Sequence, residues 1–516
     1  MSRLMIGVDI GTTSTKAVAY TPAGQVVAHH AVDYPLLRPM PDAAEQDPEV
    51  ILRAVVEALR QVAQAGTVVG VSFSAAMHSL IAIDADSRPL TRSITWADNR
   101  AATWAERIKA DADPRTGGNA IYRRTGTPIH PMSPLVKLAW LRHDEPALFE
   151  RAARFVGIKE YVFFRLFGGW WIDHSIASAT GLLESSSLDW DDGALAVAGV
   201  RREQLSALVP TTHRVEGLGP DIAQATGLAP DTPFIVGAND GVLSNLGVDA
   251  IAPGEVAATI GTSGALRAVV GRPLTDPSGR TFCYALTERH WVVGGPVNNG
   301  GVILRWLRDE LASSEAKTAG HGDQDTYEAL SRIAERVPAG SAGLLFHPYL
   351  AGERAPLWNA DLRGSYFGLA MHHRKEHLIR AVFEGVMCNL YSILPAVESL
   401  VGTSTAIKAT GGFARSAMWR QMMADVFDRE VVVPASFESS CLGAAVLGLH
   451  ALGLVQSLDV VSTMVGATHR HRPDAKNAAV YRRLLPIFLA LPGKLQDEYR
   501  AIAAFQRETS AHDGAA

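Results

Sequence analysis

Only three of the 516 residues are cysteine, Cys283, Cys388 and Cys441, and they are scattered along the chain. An odd, widely spaced set offers neither a disulfide framework nor the paired spacing of a zinc site, so a reducing cytoplasm is the expected compartment. Runs of one charge are also scarce. With 48 Lys and Arg against 53 Asp and Glu the formal net charge is -5, which argues against nucleic acid or an anionic membrane as the main partner. The longest apolar run, Leu442 to Val455, is broken by His450 and is too short to cross a bilayer, so it is expected to be a core helix. The pattern GxxxxGK[ST] is missing as well, which excludes the strand-to-helix phosphate loop.

What the chain does have begins at Met5, with MIGVDIGTTSTKAVAY. Met5, Ile6 and Val8 suit a buried strand, and Asp9 puts a carboxylate where that strand runs out, a place where a metal could sit. Gly11 leaves the backbone open to a ligand, Thr12, Thr13, Ser14 and Thr15 offer hydroxyls and amides, and Lys16 adds a positive charge, a set that suits a triphosphate. Ala17 to Tyr20 reads as a second strand, so the cradle is a hairpin; a plain hairpin with a Thr-rich turn is the alternative. Val256 to Val269, VAATIGTSGALRAV, repeats the strand, the turn through Gly261, Thr262 and Ser263, and the following strand. Repetition at that distance predicts two similar half-chains, each giving one phosphate loop to a shared cleft. A third glycine site, Gly411-Gly412-Phe413 with Arg415, follows a strand and opens a helix near Ser416, offering free amides to an anion or nucleoside.

A chain of 516 residues is too long for one core and comfortable for two domains. Asp47-Pro48 caps a helix with the apolar stripe Ile51, Val55, Leu59 and Val62, Thr67 to Ser74 is the next strand, and a helix begins near Ala101. Such alternation predicts an α/β fold. Pro233 to Ala238 forms a short strand that leads into Asn239-Asp240-Gly241, and Ala252-Pro253-Gly254 breaks the pattern just before the second loop. Domains are therefore expected over 1–249 and 250–516. In the second, the predicted helices are Lys375 to Leu400, Ser416 to Phe427 and Ser439 to Leu454.

The three loops, in this order, resemble those of the actin-like, ribonuclease-H-like phosphotransferases, and within them the FGGY carbohydrate kinases. Gly364 to Leu369 (GSYFGL), followed by His377-Leu378 and Ala381 to Glu384, is similar to that family's C-terminal signature, and Met132 to Trp140 (MSPLVKLAW) to its N-terminal one. Further likeness, to members that act on a sugar acid, runs through SFSAAMHSLIAID, SITWADNRA, GTPIHPM, GIKEYVF, ASATGLL, GPVNNGG and FHPYLAGERAPLWN, and covers nearly the whole chain.

The resemblance implies two ribonuclease-H-like domains with a nucleotide and sugar cleft between them. It also implies ATP and Mg2+ as cofactors, and D-gluconate converted to 6-phospho-D-gluconate. Asp240 is implied as the general base and, with Asp9, as a magnesium residue; without the family, Asn-Asp-Gly reads as a turn. Met77, His78, Trp96, Asp98, Arg100 and Asn239 are expected around the acceptor. Its carboxylate calls for a cation or strong donors, for which Arg100, His78 and Lys159 are candidates, each with a surface charge as the alternative. Gly11, Thr12, Thr13, Thr15, Lys16, Gly261, Thr262, Ser263, Asn299, Gly300, Gly411, Gly412, Phe413 and Arg415 are expected around the nucleotide. A homodimer is compatible with this reading. The rival functions are a kinase for a neutral ketose or polyol such as xylulose, and an actin-like ATPase module that binds protein.

Overall fold

The computed structural model describes residues 3–313, 323–434, 438–466 and 468–513. The chain forms two compact units, one of Met1–Pro253, Val269–Val293 and Glu438–Gly466, the other of Gly254–Ala268, Gly294–Phe437 and Ala467–Ala516.

The first unit is built on a six-stranded sheet in the order Arg214–Val215, Phe234–Asn239, Thr67–Ala75, Arg3–Ile10, Ser14–Tyr20, Val26–Asp33. Phe234–Asn239, Thr67–Ala75 and Arg3–Ile10 run parallel, and the hairpin strands that follow are antiparallel. The first strand is without a polar side chain from Leu4 to Val8 because both its faces are covered there. Leu4, Ile6, Val8 and Ile10 join Ile51, Val55, Leu59 and Val62 of helix Pro48–Ala63 in one core. Met5 joins Val242, Leu246, Leu442 and Val446, from helices Asp240–Gly247 and Ser439–Ala451, in another. As the sequence predicts, Asp47 caps the helix after it, accepting from the amides of Glu49 and Val50.

Close backbone packing fixes the second of these faces. A Cβ on Gly7 would lie 2.0 Å from the carbonyl oxygen of Cys441, so helix Ser439–Ala451 rests directly on the strand. Gly237, with φ 75°, marks a register break between Ile235 and Ala238, and a Cβ there would meet the Phe73 carbonyl oxygen at 1.7 Å. Only glycine suits that bulge, which sets the direction in which Asn239 and Asp240 leave the sheet.

In the second unit, strands His290–Val297, Gly264–Val270, Glu255–Ile260, Ala406–Thr410, Glu430–Pro434 and Thr468–His471 follow one another across the sheet. The pattern of the first unit recurs, with antiparallel strands followed by parallel neighbours of the strand that precedes the glycine turn. The long apolar helix predicted from Lys375 is two helices, Lys375–Tyr391 and Leu394–Val401, because Pro395 allows a helix to start but not to continue through it. Residues Lys375–Val401 have the length and hydropathy of a membrane span, yet 78% of the apolar window is buried inside the protein, as for a core helix. Most of the predicted polar insert Ala312 to Asp325 lies outside the described residues.

Candidate active site

In the first unit the turn Gly11–Ser14 is closed by the Gly11 amide donating to the Ser14 carbonyl at 2.9 Å. Neighbouring elements hold the turn from outside. Tyr34 donates to the Gly11 carbonyl at 2.8 Å, Gln46 to the Thr12 carbonyl at 2.6 Å, and the Trp96 indole to the Thr12 hydroxyl at 2.9 Å. Thr12 and Thr13 lie at the surface of this turn, whereas Thr15 is fully buried against Tyr34, 3.2 Å away. Thr15 therefore supports the loop instead of lining it, which differs from the expectation.

Asp9, the last residue but one of its strand, lies directly opposite Lys16 and accepts from Ser74 at 2.6 Å. Burial raises its pKa, with Ser74 and Lys16 opposing and Glu438 reinforcing the shift. Burial disfavours the Lys16 ammonium, but the adjacent Glu438 carboxylate outweighs it and raises that pKa. Lys16 and Glu438 are 2.9 Å apart. Nothing in the sequence pairs these two residues.

Asp240 stands two strands away from Asp9. Asp9 is level with Ser74 in the parallel ladder, and Asn239 with the next residue, Ala75, so both carboxylates emerge at the same end of the sheet. Asn239-Asp240-Gly241 is not a turn between loops but the start of helix Asp240–Gly247. Asn239 is its cap: its side-chain oxygen accepts from the Val242 amide at 2.9 Å and its amide donates to Ser175 at 2.9 Å. Asn239 is completely buried, so its side chain orients Asp240 and is not presented to an acceptor. The half-buried Asp240 occupies the first helical position, where the helix dipole favours a carboxylate.

The cations expected near an acceptor carboxylate are already compensated. Arg100 binds Asp98 through Nε and Nη2, reaches Glu45 at 2.7 Å, and lies over the Trp140 ring. Asp98 is itself buried and accepts from the Ala44 amide, so this pair fixes one loop to another. Lys159 is buried, 2.7 Å from the fully buried Asp173, and donates to the Ala238 carbonyl at 3.2 Å. Burial lowers the pKa of Lys159, with Asp173 opposing. It is neither a surface charge nor an open contact. Next to it Glu160 is pushed up to about 7 by burial.

His78 has left-handed backbone, φ 70°, and its Nδ1 lies 2.7 Å from the Ala179 carbonyl, which can only accept; Nδ1 therefore carries the proton. Met77 and Trp96 are half-buried.

The second unit contains a cavity of about 760 Å³ whose wall includes Gly261, Thr262, Gly412, Phe413 and Arg415. Loops from the repeated glycine turn and from the third glycine site thus share one cavity. The Gly301 amide donates to the Gly261 carbonyl at 2.7 Å, and the Val302 amide to that of Thr262 at 3.0 Å, which seats the turn on helix Gly301–Trp306. Ser263, Gly300 and Gly411 flank this wall without forming it. Asn299 is fully buried and spends its side chain on Ala351, Gly352 and Glu353, so it braces a loop and does not face the cavity. The opposite wall was not foreseen: Tyr327, Glu328, Arg332 and Glu335 come from helix Asp323–Glu335, whose polar sequence carries no ligand motif.

Two α/β units with repeated glycine hairpins, paired strand-end carboxylates in one and a glycine-edged cavity in the other, define a phosphotransferase of the actin-like class. The N-terminal domain model of the FGGY family of carbohydrate kinases matches residues 4–247 and the C-terminal domain model residues 256–452. The chain belongs to the FGGY family of carbohydrate kinases. It is 54% identical to the gluconokinase of Bacillus subtilis (strain 168), over 99% of this chain and 100% of that protein. Against the xylulose kinase of the same organism identity is 27%, over 98% and 100%. A crystal structure of gluconate kinase from Lactobacillus acidophilus superposes with a TM-score of 0.91 at 38% identity, covering 97% of this chain and 100% of that one.

Proposed function

We propose that this kinase transfers the γ-phosphoryl group of ATP to the terminal hydroxyl of D-gluconate, giving 6-phospho-D-gluconate. The observation that carries this reading is the full-length identity of 54% to a gluconokinase against 27% to a xylulose kinase. In this reading Asp240, half-buried at a helix start beside a strand end, takes the proton of the attacking hydroxyl as general base. Thr12, Thr13 and Lys16 meet phosphate oxygens, and the cavity edged by Gly261, Gly412 and Phe413 takes the nucleoside. Met77, His78 and Trp96 face the acceptor. Arg100 and Lys159 hold the surrounding backbone, because each is already neutralised by a carboxylate.

Mg2+ fits the donor set: it binds through one or two carboxylates plus phosphate oxygens and water, and Asp9 and Asp240 lie at the same end of one sheet, two strands apart. Among the described residues no group of three or more His, Cys, Asp or Glu could hold a metal by itself, as suits an ion that arrives with ATP. When bound it would neutralise charge on the transferring phosphate. Three buried, unpaired cysteines support a cytoplasmic setting.

A xylulose kinase is the second reading, favoured by a ligand-bound xylulose kinase structure from Lactobacillus acidophilus that matches equally well, with a TM-score of 0.91 and 38% identity. A coupled assay of ADP release across gluconate, xylulose and glycerol decides between them. Turnover that is silent until gluconate is added is expected. A higher specificity constant for xylulose would overturn the assignment.

A further inference from the structure

Lys137 belongs to helix Pro134–Asp144 and is completely buried. An ammonium group in that position is costly, and burial brings its pKa down to about 7, with Asp98 opposing and Arg100 adding to the fall. A leucine or methionine would fill the same volume without that cost. What the lysine alone supplies is three N–H donors, and three carbonyl oxygens surround it: His78 at 2.6 Å, Thr95 at 2.7 Å and Ile94 at 3.3 Å.

Those carbonyls come from two segments that also pair directly, Leu80 and Ile94 exchanging both backbone hydrogen bonds, with His78 and Thr95 just outside that bridge. The His78 carbonyl is aimed by the left-handed φ of 70° at that residue, a conformation that persists only where the surroundings hold it. The Ala179 carbonyl holds the His78 ring and Lys137 holds its backbone. Thr95 immediately precedes Trp96, whose indole reaches Thr12. One buried lysine thus extends the Leu80–Ile94 pairing, joining the His78 carbonyl to the strand end that carries Trp96.

We propose that Lys137 is a positioning residue that holds the His78 and Trp96 loops together as one rigid platform for the acceptor. It touches no acceptor atom, since it has no exposed surface. Its N–H donors act through the backbone carbonyls of His78, Ile94 and Thr95, and hence on acceptor placement more than on the nucleotide. The proposal rests on the assignment of those two loops to the acceptor.

The test uses Lys137→Met, which keeps the volume and removes every donor, and Lys137→Gln, which restores two. A misplacement of about 1 Å in a reacting group costs on the order of 10²-fold, so kcat/KM for gluconate should fall roughly that far in Lys137→Met. Binding of a nonhydrolysable ATP analogue should change by less than about twofold, the smallest effect expected of one lost hydrogen bond. Lys137→Gln should recover part of the gluconate loss, which a purely space-filling role would not allow. Equal losses for gluconate and nucleotide, or no difference between Met and Gln, would overturn the proposal. Should neither variant fold, hydrogen exchange in the unaltered protein decides: residues 76–79 and 95–97, outside the direct Leu80–Ile94 pairing, should gain protection together when gluconate is added, and independent exchange refutes the coupling. If the unaltered protein ignores gluconate, the proposed function falls. The variants are then read by the same exchange measurement, in which both segments should lose protection together and unchanged protection overturns the role of Lys137.

Discussion

Replacing Lys159 by Met should unfold the first unit far more readily than any surface lysine would suggest. The substitution leaves Asp173, whose side chain has no exposed surface, without the ammonium 2.7 Å away. Stranding one half of a buried ion pair costs about 3–5 kcal/mol, whereas a surface substitution stays within about 0.5 kcal/mol. At roughly 2–4 °C per kcal/mol for a large domain, the melting temperature should drop by about 6–20 °C. The second arm adds Asp173→Asn. Asparagine retains the oxygen that accepts from the Ile176 amide at 2.9 Å, so the helix cap survives while the stranded charge is removed. The double variant should recover more than half of the lost stability, since the cost lies in the unpaired charge. Differential scanning calorimetry of the two single variants and the double variant gives the coupling directly. A Lys159→Met protein that melts within about 1 °C of the parent would refute the buried pair, because that is less than a surface substitution can cost.

Asp240→Asn should lower gluconate-dependent kcat by about 10² to 10⁴ while leaving binding of an ATP analogue intact, measured by single-turnover kinetics and titration. Trp96→Phe removes the hydrogen bond to Thr12 at 2.9 Å and should cost roughly 2- to 12-fold in kcat/KM, the equivalent of one neutral hydrogen bond. Glu160, whose folded pKa is raised to about 7 by burial, favours folding when protonated. Its contribution is complete below the unfolded carboxyl pKa and is lost as pH rises through about 7. Thermal melts should therefore show Glu160→Gln gaining on the parent between pH 5 and pH 8, and a constant difference would rule this out.

Local signals in the sequence placed both glycine hairpins, the strand Thr67–Ala75 and the cap at Asp47, because each depends on residues close together along the chain. Helix Asp240–Gly247 escaped, since eight residues beginning Asp-Gly, with Asn before them, look like a turn until Asn239 is seen capping them. The ion pairs escaped for another reason. Lys159 with Asp173, Arg100 with Glu45 and Lys16 with Glu438 are partners made by folding, and a lone basic residue in a sequence gives no sign that its charge is already spent. Thr15 and Asn299 sit in ligand-like motifs yet turn inward, because a loop that meets phosphate or nucleoside needs braces as well as contacts. The wall of Tyr327 and Arg332 carried no motif at all.

Gly7 rests on the backbone of Cys441, so the first strand to be made is covered by a helix encoded near the far end of the chain. At about 5–20 residues per second, a ribosome needs roughly 20–90 s to travel from one to the other. Throughout that interval the sheet around Met5 and Val18, and helix Asp240–Gly247 with Val242 and Leu246, lack the apolar surface of Leu442, Ala445 and Leu449. The amino-terminal unit therefore cannot complete its core until Leu442, Ala445 and Leu449 have been made, although most of its residues come hundreds of positions earlier.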